Sequence, residues 1–131
     1  LIIKQLVRDL DMDLDIVVCP IVREKDGLAM SSRNEYLSEI EREEAVCLYE
    51  AWNLGKKMIE AGERNIEKIK QKMKEAIEKY EFPKIDYIEV YNAADLSEFE
   101  NNAIKEGHEL VIALAAMVGK TRLIDNVVFE I

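Results

Sequence analysis

The sequence predicts an α+β fold in which two amphipathic helices pack on a small, mainly antiparallel sheet, and a separate helix–strand unit comes before them. Two observations lead to this prediction. Apolar residues recur at helical spacing in two segments before residue 82, whereas the apolar segments after residue 84 have the length and composition of strands. Helices that come first and strands that follow are typical of α+β proteins.

The first part of the chain has the pattern of one helix followed by one strand. Residues 1–10 carry apolar side chains at helical spacing. The apolar run over residues 16–19 predicts a buried strand over residues 15–19. A polar loop, residues 20–37, comes next. This order matches the last helix–strand unit of a Rossmann-like α/β domain, where ligands gather beyond the carboxyl ends of the strands. We therefore divide the chain into residues 1–37, the tail of such a domain, and residues 38–131, an α+β C-terminal domain.

Two helices are predicted at the start of the C-terminal domain. Ser38 and Glu41 have the spacing of a capping box, and the helix that they begin is predicted to end at Gly62, which tolerates the left-handed C-cap conformation. A second helix is predicted to begin at Asn65 and to end before Pro83. Its narrow apolar stripe is typical of a helix packed on a core.

Strands and turns are predicted for the rest of the domain. Residues 85–91 are rich in strand-forming side chains, and Asp95 is predicted to cap a short helical turn. Residues 110–117 are an unbroken apolar run whose length favours a buried strand, although periodicity alone leaves a helix open. The chain then turns at residues 119–120 and returns as a strand over residues 123–129.

Within this polar loop, residues 26–34 are the strongest functional signal in the chain. They combine one glycine with two adjacent serines and a fixed cation, Arg33. Between a strand and a helix, backbone N–H groups and hydroxyls donate short hydrogen bonds to phosphate, and a guanidinium binds two phosphate oxygens at once. Arg23 and Lys25 place more positive charge nearby, interleaved with acidic residues. By themselves these residues leave both a phosphate-binding loop and an ordinary turn open.

Composition excludes several classes of protein. The formal net charge of −9 argues against a general nucleic-acid binder, because such proteins need a basic face. No apolar run approaches the ~20 residues of a membrane helix, and charged residues interrupt any signal-peptide core. Cys19 and Cys47 lack metal-ligand spacing and are predicted to be small buried side chains in a reduced cytosol. His108 is predicted to be exposed in a turn.

Three segments, in the same order along the chain, resemble the pantothenate synthetase family, whose members are also called pantoate–β-alanine ligases. They are residues 20–37, which include Met30-Ser31-Ser32-Arg33, residues 85–90, and residues 119–126, which read Gly-Lys-Thr-Arg-Leu-Ile-Asp-Asn. The resemblance covers nearly the whole chain. It implies a cytoplasmic ligase that uses ATP with Mg²⁺ to join pantoate and β-alanine through a pantoyl-adenylate, forming pantothenate, AMP and pyrophosphate.

The resemblance also implies roles for five residues. The backbone of Val22 would bind adenine, and Met30 would line the nucleotide pocket. Ser31, Ser32 and Arg33 would hold the β- and γ-phosphates and stabilise the charge that develops on the departing pyrophosphate. The C-terminal domain would close over the nucleotide as a lid. No residue of this chain is identified with certainty as catalytic, and no metal ligand is predicted.

The motifs of the family's first half are missing. The His-x-Gly-His and Gly-x-Lys-Asp segments do not occur, and the single histidine is His108. The chain is therefore expected to be the C-terminal portion of such a ligase, to be inactive alone, and to have the missing N-terminal domain as its partner. The resemblance suggests a homodimer built through that domain. Residues 1–19 would then lack packing partners, so we expect them to be disordered or to self-associate.

Two rival interpretations and two local ambiguities stay open. In an α+β interaction module the polar loop would be a plain turn. A tRNA-synthetase relative would share the loop chemistry but would need a basic face that this acidic chain lacks. Residues 119–122 lack the first glycine and the following helix of a Walker loop, and they are predicted to form a turn between strands. Asp125 and Asn126 interrupt an apolar strand, which indicates a hydrogen-bond network or contact with a neighbouring domain.

Overall fold

A three-stranded antiparallel sheet is the scaffold of the chain, which a computed structural model describes in full, from Leu1 to Ile131. The strands are β1 (Pro83–Asn92), β2 (Glu109–Val118) and β3 (Thr121–Glu130). Their order is β1-β2-β3, so the apolar strand β2 is central and hydrogen-bonded on both sides. The three predicted strands of the C-terminal domain are confirmed, and a helix in place of β2 is excluded.

Four α-helices accompany the sheet: α1 (Ile2–Asp9), α2 (Glu39–Glu44), α3 (Cys47–Glu60) and α4 (Ile66–Ile77). Two short 3₁₀ helices, Ser32–Tyr36 and Glu100–Asn102, lie in loops. Helices α3 and α4 pack against each other and on the sheet, which confirms the α+β class. None of the helices combines the length and the apolar composition that crossing a membrane requires.

The predicted helix starts are confirmed by their capping bonds. The Ser38 hydroxyl accepts the N–H of Glu41 at 3.3 Å, and the Glu41 carboxylate accepts the N–H of Ser38 at 2.8 Å, which completes a capping box. The Asn65 side chain accepts the N–H of Lys68 at 2.9 Å at the start of α4. These side-chain acceptors satisfy donors that the first turn of a helix leaves unpaired.

The single helix predicted from residue 38 is divided into α2 and α3. The two residues between them, Ala45 and Val46, keep right-handed helical φ and ψ angles. However, the N–H of Leu48 donates to the carbonyl of Ala45, three residues back, at 3.3 Å. The chain therefore follows one helical path with a tightened turn, which hydrophobic periodicity does not detect.

The core lies between the sheet and helices α3 and α4. Its largest fully buried side chains are Leu48, Ile59, Ile69, Met73, Ile77, Leu110, Ile112, Leu114 and Val118. Full burial of one such side chain stabilises the fold by about 1.5–3 kcal/mol relative to an exposed one. The apolar stripes of the two predicted helices are thus core packing.

The predicted buried strand over residues 15–19 is wrong. The segment is irregular and exposed, with Val17 82% and Val18 68% accessible. Cys19 is exposed as well, contrary to prediction, whereas Cys47 is buried as predicted. A strand needs a hydrogen-bonded neighbour, and no other segment of the chain pairs with these residues, so apolar character alone does not produce one. Of the expected helix–strand unit, only helix α1 is present, and it buries none of its side chains.

Two further local predictions differ from the structure. Asp95 does not cap a helical turn: its carboxylate accepts the N–H of Ser97 at 3.0 Å and the Ser97 hydroxyl at 2.7 Å, which forms an Asx turn. His108, predicted to be exposed, is half-buried because its ring packs edge-on against Phe99, with centroids 5.9 Å apart.

Candidate functional site

The polar loop folds into a small hairpin, residues 22–30, before it reaches the adjacent serines. Two backbone bonds join its arms: the N–H of Met30 donates to the carbonyl of Val22 at 2.9 Å, and the N–H of Glu24 donates to the carbonyl of Leu28 at 2.8 Å. The carbonyl of Val22 is therefore occupied, whereas its N–H has no partner in the chain. This hairpin sets the direction in which the chain enters the Ser31–Ser32 segment.

Gly27 lies at the tip of the hairpin, where only glycine fits. Its φ angle is +99°, a conformation that L side chains rarely adopt, and a Cβ there would lie 2.4 Å from the ring of Tyr49. The next residue, Leu28, is only 3% exposed and belongs to the core. The hairpin is thus packed directly on α3.

Arg23 and Asp125 form the main polar contact between the hairpin and β3. The two guanidinium nitrogens Nη1 and Nη2 donate to Oδ2 and Oδ1 of Asp125 at 2.7 and 2.9 Å. Asp125 is 4% exposed and also accepts the indole N–H of Trp52 at 2.9 Å and the N–H of Asn126 at 2.8 Å. Nη1 of Arg23 donates in addition to the carbonyl of Gly27 at 2.9 Å. The expected hydrogen-bond network at Asp125 is confirmed.

Two aromatic rings surround the guanidinium of Arg23. Its carbon lies 5.0 Å from the ring centroid of Trp52 and 5.3 Å from that of Tyr49, and the two rings meet edge-on. Both cation–π contacts and the ion pair with Asp125 use the charge of Arg23. Arg23, one of the three cations near the polar loop in the sequence, is therefore engaged inside the protein.

A second ion pair holds the outer side of the hairpin. Asp26 accepts a hydrogen bond from Arg42 of α2 at 2.8 Å and another from the N–H of Leu28 at 3.2 Å. The hydrogen bond from Arg42 lowers the pKa of the Asp26 carboxyl below its ordinary value. Both side chains are partly exposed to solvent, so this pair contributes little to stability at neutral pH.

The serines and Arg33 come directly after the hairpin. Ser31 caps the 3₁₀ helix Ser32–Tyr36, since its hydroxyl accepts the N–H of Arg33 at 3.2 Å. Ser31, Ser32 and Arg33 are all exposed. The guanidinium of Arg33 makes no hydrogen bond and no ion pair within the chain. Its five donors remain available to an anion from outside.

A cavity of about 260 Å³ lies between the loop and β3. The loop contributes Met30, Ser31 and Arg33 to its lining, and β3 contributes Arg122, Ile124 and Asn126. Two segments that lie far apart in the sequence, residues 30–34 and 122–126, thus meet at one site. Of the predicted site residues, Met30, Ser31 and Arg33 are brought together there. Ser32 lines a neighbouring shallow groove instead, and Val22 lines neither.

The sequence predicts no binding or catalytic role for the β3 residues that line the cavity. Arg122 lines the cavity but is paired with Asp86 of β1, at 2.8 Å from Nε and 2.7 Å from Nη2. Arg33 is therefore the cation of the cavity that has no carboxylate partner. The match at residues 119–126 was the signal that could have identified this wall, although only the fold brings it to the loop. No group of three or more His, Cys, Asp or Glu side chains is arranged to hold a metal ion.

Comparison with known sequences identifies a family. The family model described as pantoate-beta-alanine ligase matches residues 1–128. The chain is 55% identical over 130 residues to a pantothenate synthetase of Caldicellulosiruptor saccharolyticus, covering 99% of this chain and 45% of that protein. It is 51% identical over 131 residues to a pantothenate synthetase of Syntrophomonas wolfei, covering 100% of this chain and 45% of that protein.

Solved structures agree. A pantothenate synthetase from Thermus thermophilus matches with a TM-score of 0.82 at 30% identity, over 95% of this chain and 44% of that one. A pantoate-beta-alanine ligase from Francisella tularensis, complexed with beta-gamma ATP and beta-alanine, matches with a TM-score of 0.53 at 31% identity, over 95% of this chain and 37% of that one. The chain spans less than half the length of these relatives. Over nearly all of its own length, this chain belongs to the pantoate–β-alanine ligase family.

Proposed function

We propose that this chain is the C-terminal portion of an ATP-dependent ligase that joins pantoate and β-alanine through a pantoyl-adenylate. The products are pantothenate, AMP and pyrophosphate. The observation that carries the proposal is Arg33, an exposed guanidinium without a partner that lies next to Ser31 at the cavity between the loop and β3. The Francisella relative, which is complexed with beta-gamma ATP and beta-alanine, supports ATP and β-alanine as substrates.

In this proposal the loop binds the phosphates of ATP. The hydroxyls of Ser31 and Ser32 donate to the β- and γ-phosphates, and Arg33 binds two phosphate oxygens through its planar fork of donors. Negative charge builds up on pyrophosphate as it leaves, and donors fixed in advance stabilise that charge without reorganising. The free N–H of Val22 contacts adenine, and the exposed thioether of Met30 covers the nucleotide. Mg²⁺ arrives as the counter-ion of ATP.

In this proposal the pantoate site lies outside the chain, and the two parts of the chain belong to different domains of the enzyme. The pantoate site lies in the half of the relatives that this chain does not span, so the chain alone is inactive. Residues 1–37 then continue the nucleotide-binding domain, and residues 38–131, on whose core Leu28 and Arg23 of the hairpin pack, act as its lid and carry the hairpin with them. Closure of the lid excludes water from the adenylate, which water would otherwise hydrolyse. We propose that the full-length enzyme is a homodimer in the cytoplasm.

Two assays on the full-length enzyme test this function. Adenylate formation predicts ATP–pyrophosphate exchange that requires pantoate and proceeds without β-alanine. Product formation predicts pantothenate and AMP only when β-alanine is added. Exchange that does not require pantoate, or release of ADP and phosphate, would overturn the proposal. The purified 131-residue chain is expected to match a buffer blank in both assays, and turnover by it would overturn its predicted inactivity.

A further inference from the structure

We propose that Asp125 is a positioning residue for the phosphate-binding loop, and that it acts through Arg23. The inference rests on the proposed function, because it assumes that Ser31 and Arg33 hold phosphates. Asp125 borders the cavity, but both of its oxygens are engaged within the chain, so it does not bind the nucleotide in this scheme. It fixes Arg23, and Arg23 fixes the hairpin from which the serines and Arg33 emerge.

The carboxylate of Asp125 is fully engaged by fixed donors. Oδ2 accepts from Arg23 and from the indole of Trp52, and Oδ1 accepts from Arg23 and from the N–H of Asn126. A bidentate guanidinium–carboxylate pair fixes the relative orientation of both groups as well as their distance. Since the Asp125 side chain is buried, water does not compete for these bonds. The orientation of Arg23 is therefore set by β3 and α3, which are core elements.

Arg23 transfers this orientation to the hairpin. The same nitrogen that binds Asp125 also donates to the carbonyl of Gly27 at the hairpin tip. The rings of Tyr49 and Trp52 confine the guanidinium on its remaining sides. From the tip, the chain passes through the buried Leu28 to Ser31 within four residues. A shift of Arg23 consequently moves the segment that carries the phosphate ligands.

The other contacts of the hairpin do not replace this one. The pair between Asp26 and Arg42 is partly exposed and weak. Burial of Leu28 anchors the hairpin in the core but does not fix the orientation of the hairpin, because apolar contacts are not directional. The backbone bond between Met30 and Val22 involves no atom of Asp125 or of the Arg23 side chain. The adenine contact at Val22 is thus expected to survive when Asp125 is changed, while the phosphate contacts lose their alignment.

The test uses the full-length enzyme and three variants. Asp125→Asn keeps the shape of the side chain but loses one charged acceptor for Arg23. Arg23→Lys keeps the charge but cannot form the two-nitrogen, bidentate pair with Asp125. The double variant measures their coupling. Glu89→Gln is the matched control, since it removes a part-buried ion pair, with Lys70 at 2.7 Å, that lies outside the cavity.

The measurements are pantoate-dependent ATP–pyrophosphate exchange, thermal unfolding and the fluorescence of Trp52. Misplacement of catalytic groups by about 1 Å costs up to ~100-fold in rate. We therefore expect Asp125→Asn and Arg23→Lys each to lower kcat by roughly tenfold or more, with the KM for ATP changed less than about threefold. The double variant should be no slower than the worse single variant, because both break one contact. Trp52 is the only tryptophan of the 131-residue chain, so the emission of that chain should shift in Asp125→Asn and not in Glu89→Gln.

Each outcome decides the inference. Wild-type kcat in either single variant, additive losses in the double variant, or equal losses in Glu89→Gln would overturn it. If Asp125→Asn does not fold, Arg23→Lys alone tests the inference: its kcat should fall while its KM for ATP changes little. Absence of exchange in the wild-type enzyme would overturn the proposed function and this inference with it. Exchange in the wild type with unaffected variants would overturn the inference alone.

Discussion

Gly119 lies against Glu41: a Cβ on Gly119 would be 1.8 Å from Oε1 of that carboxylate. The turn between β2 and β3 therefore packs directly on the capping box of α2, in which Glu41 accepts the N–H of Ser38. The predicted helix start and the predicted turn, which are far apart in the sequence, therefore contact each other in the fold. The start of β3, which carries Arg122, lies beside the loop at the cavity.

We expect Gly119→Ala to destabilise the chain. Its φ angle of +59° favours glycine, which costs an L residue about 1 kcal/mol or more, and the new methyl group would also displace Glu41 from the capping box. The measurement is urea unfolding of the 131-residue chain. Gly62→Ala is the matched control, since Gly62 also has a positive φ, +96°, but no atom within 4 Å of the new Cβ. Equal losses in both variants would show that the contact with Glu41 contributes nothing.

The packing of Gly119 on Glu41 shows what the sequence predicts well and what it does not. The capping box and the turn were predicted because each depends on residues within a few positions of one another. Their contact joins residues 78 positions apart, for which a single sequence carries no local pattern. The same reason explains the failure at residues 15–19: the apolar pattern is local, but a strand also requires a distant partner.

Replacement of Arg33 tests the proposed phosphate-binding role of the loop. In the full-length enzyme, Arg33→Ala should slow adenylate formation more than it weakens adenine binding. Loss of one well-placed donor typically costs ~2.7–4 kcal/mol of transition-state stabilisation, or roughly 10²–10³ in kcat. Lys25→Ala is the matched control, because Lys25 is an exposed cation of the same hairpin that lines no part of the cavity. Pyrophosphate exchange at the wild-type rate in Arg33→Ala would refute the assigned role.

The two thiols should react differently with a disulfide reagent. Cys19 is exposed, whereas Cys47 is buried in α3, and burial raises the pKa of its thiol to about 12. Because the thiolate is the reactive form, Cys47 is neither accessible nor ionised near pH 8. We expect one thiol to be titrated in the native chain and two after denaturation. Cys19→Ser should leave none reactive under native conditions, and rapid labelling of that variant would contradict the burial of Cys47.

The Asp26–Arg42 pair predicts a small loss of stability in acid. A carboxyl whose folded pKa is depressed contributes stability above its unfolded pKa, near 3.8, and the contribution disappears as pH falls through the lower, folded pKa. The stability difference between wild type and Asp26→Asn should therefore be constant above about pH 5 and shrink below pH 3.8. Asp13→Asn, at an exposed carboxylate without a hydrogen bond, is the control. A difference that grows in acid would contradict the direction of this shift.

The candidate site was predicted in part, and the reason lies in Arg23. Met30, Ser31 and Arg33 follow one another in a recognisable motif, so the sequence identified the loop side of the cavity. In the sequence, Arg23 lies among charged residues and resembles a surface cation. Only the structure shows that it forms a part-buried ion pair with Asp125, 102 positions away. In the proposal above, the placement of Met30, Ser31 and Arg33 depends on this pair, which no local pattern in the sequence reveals.

The start of the chain should be its least stable part. Helix α1 has eight residues and buries none of them, and isolated helices of this length are marginal in water. Ile2, Ile3 and Leu6 are all more than half exposed. In the 131-residue chain, we expect residues 2–10 to exchange their amide hydrogens fast unless self-association protects them. The central strand β2 should exchange only on global unfolding, because its side chains form the core. Hydrogen exchange with sedimentation at several concentrations measures both. A strictly monomeric chain in which residues 1–19 are as protected as β2 would show that the domain boundary after residue 37 is wrong.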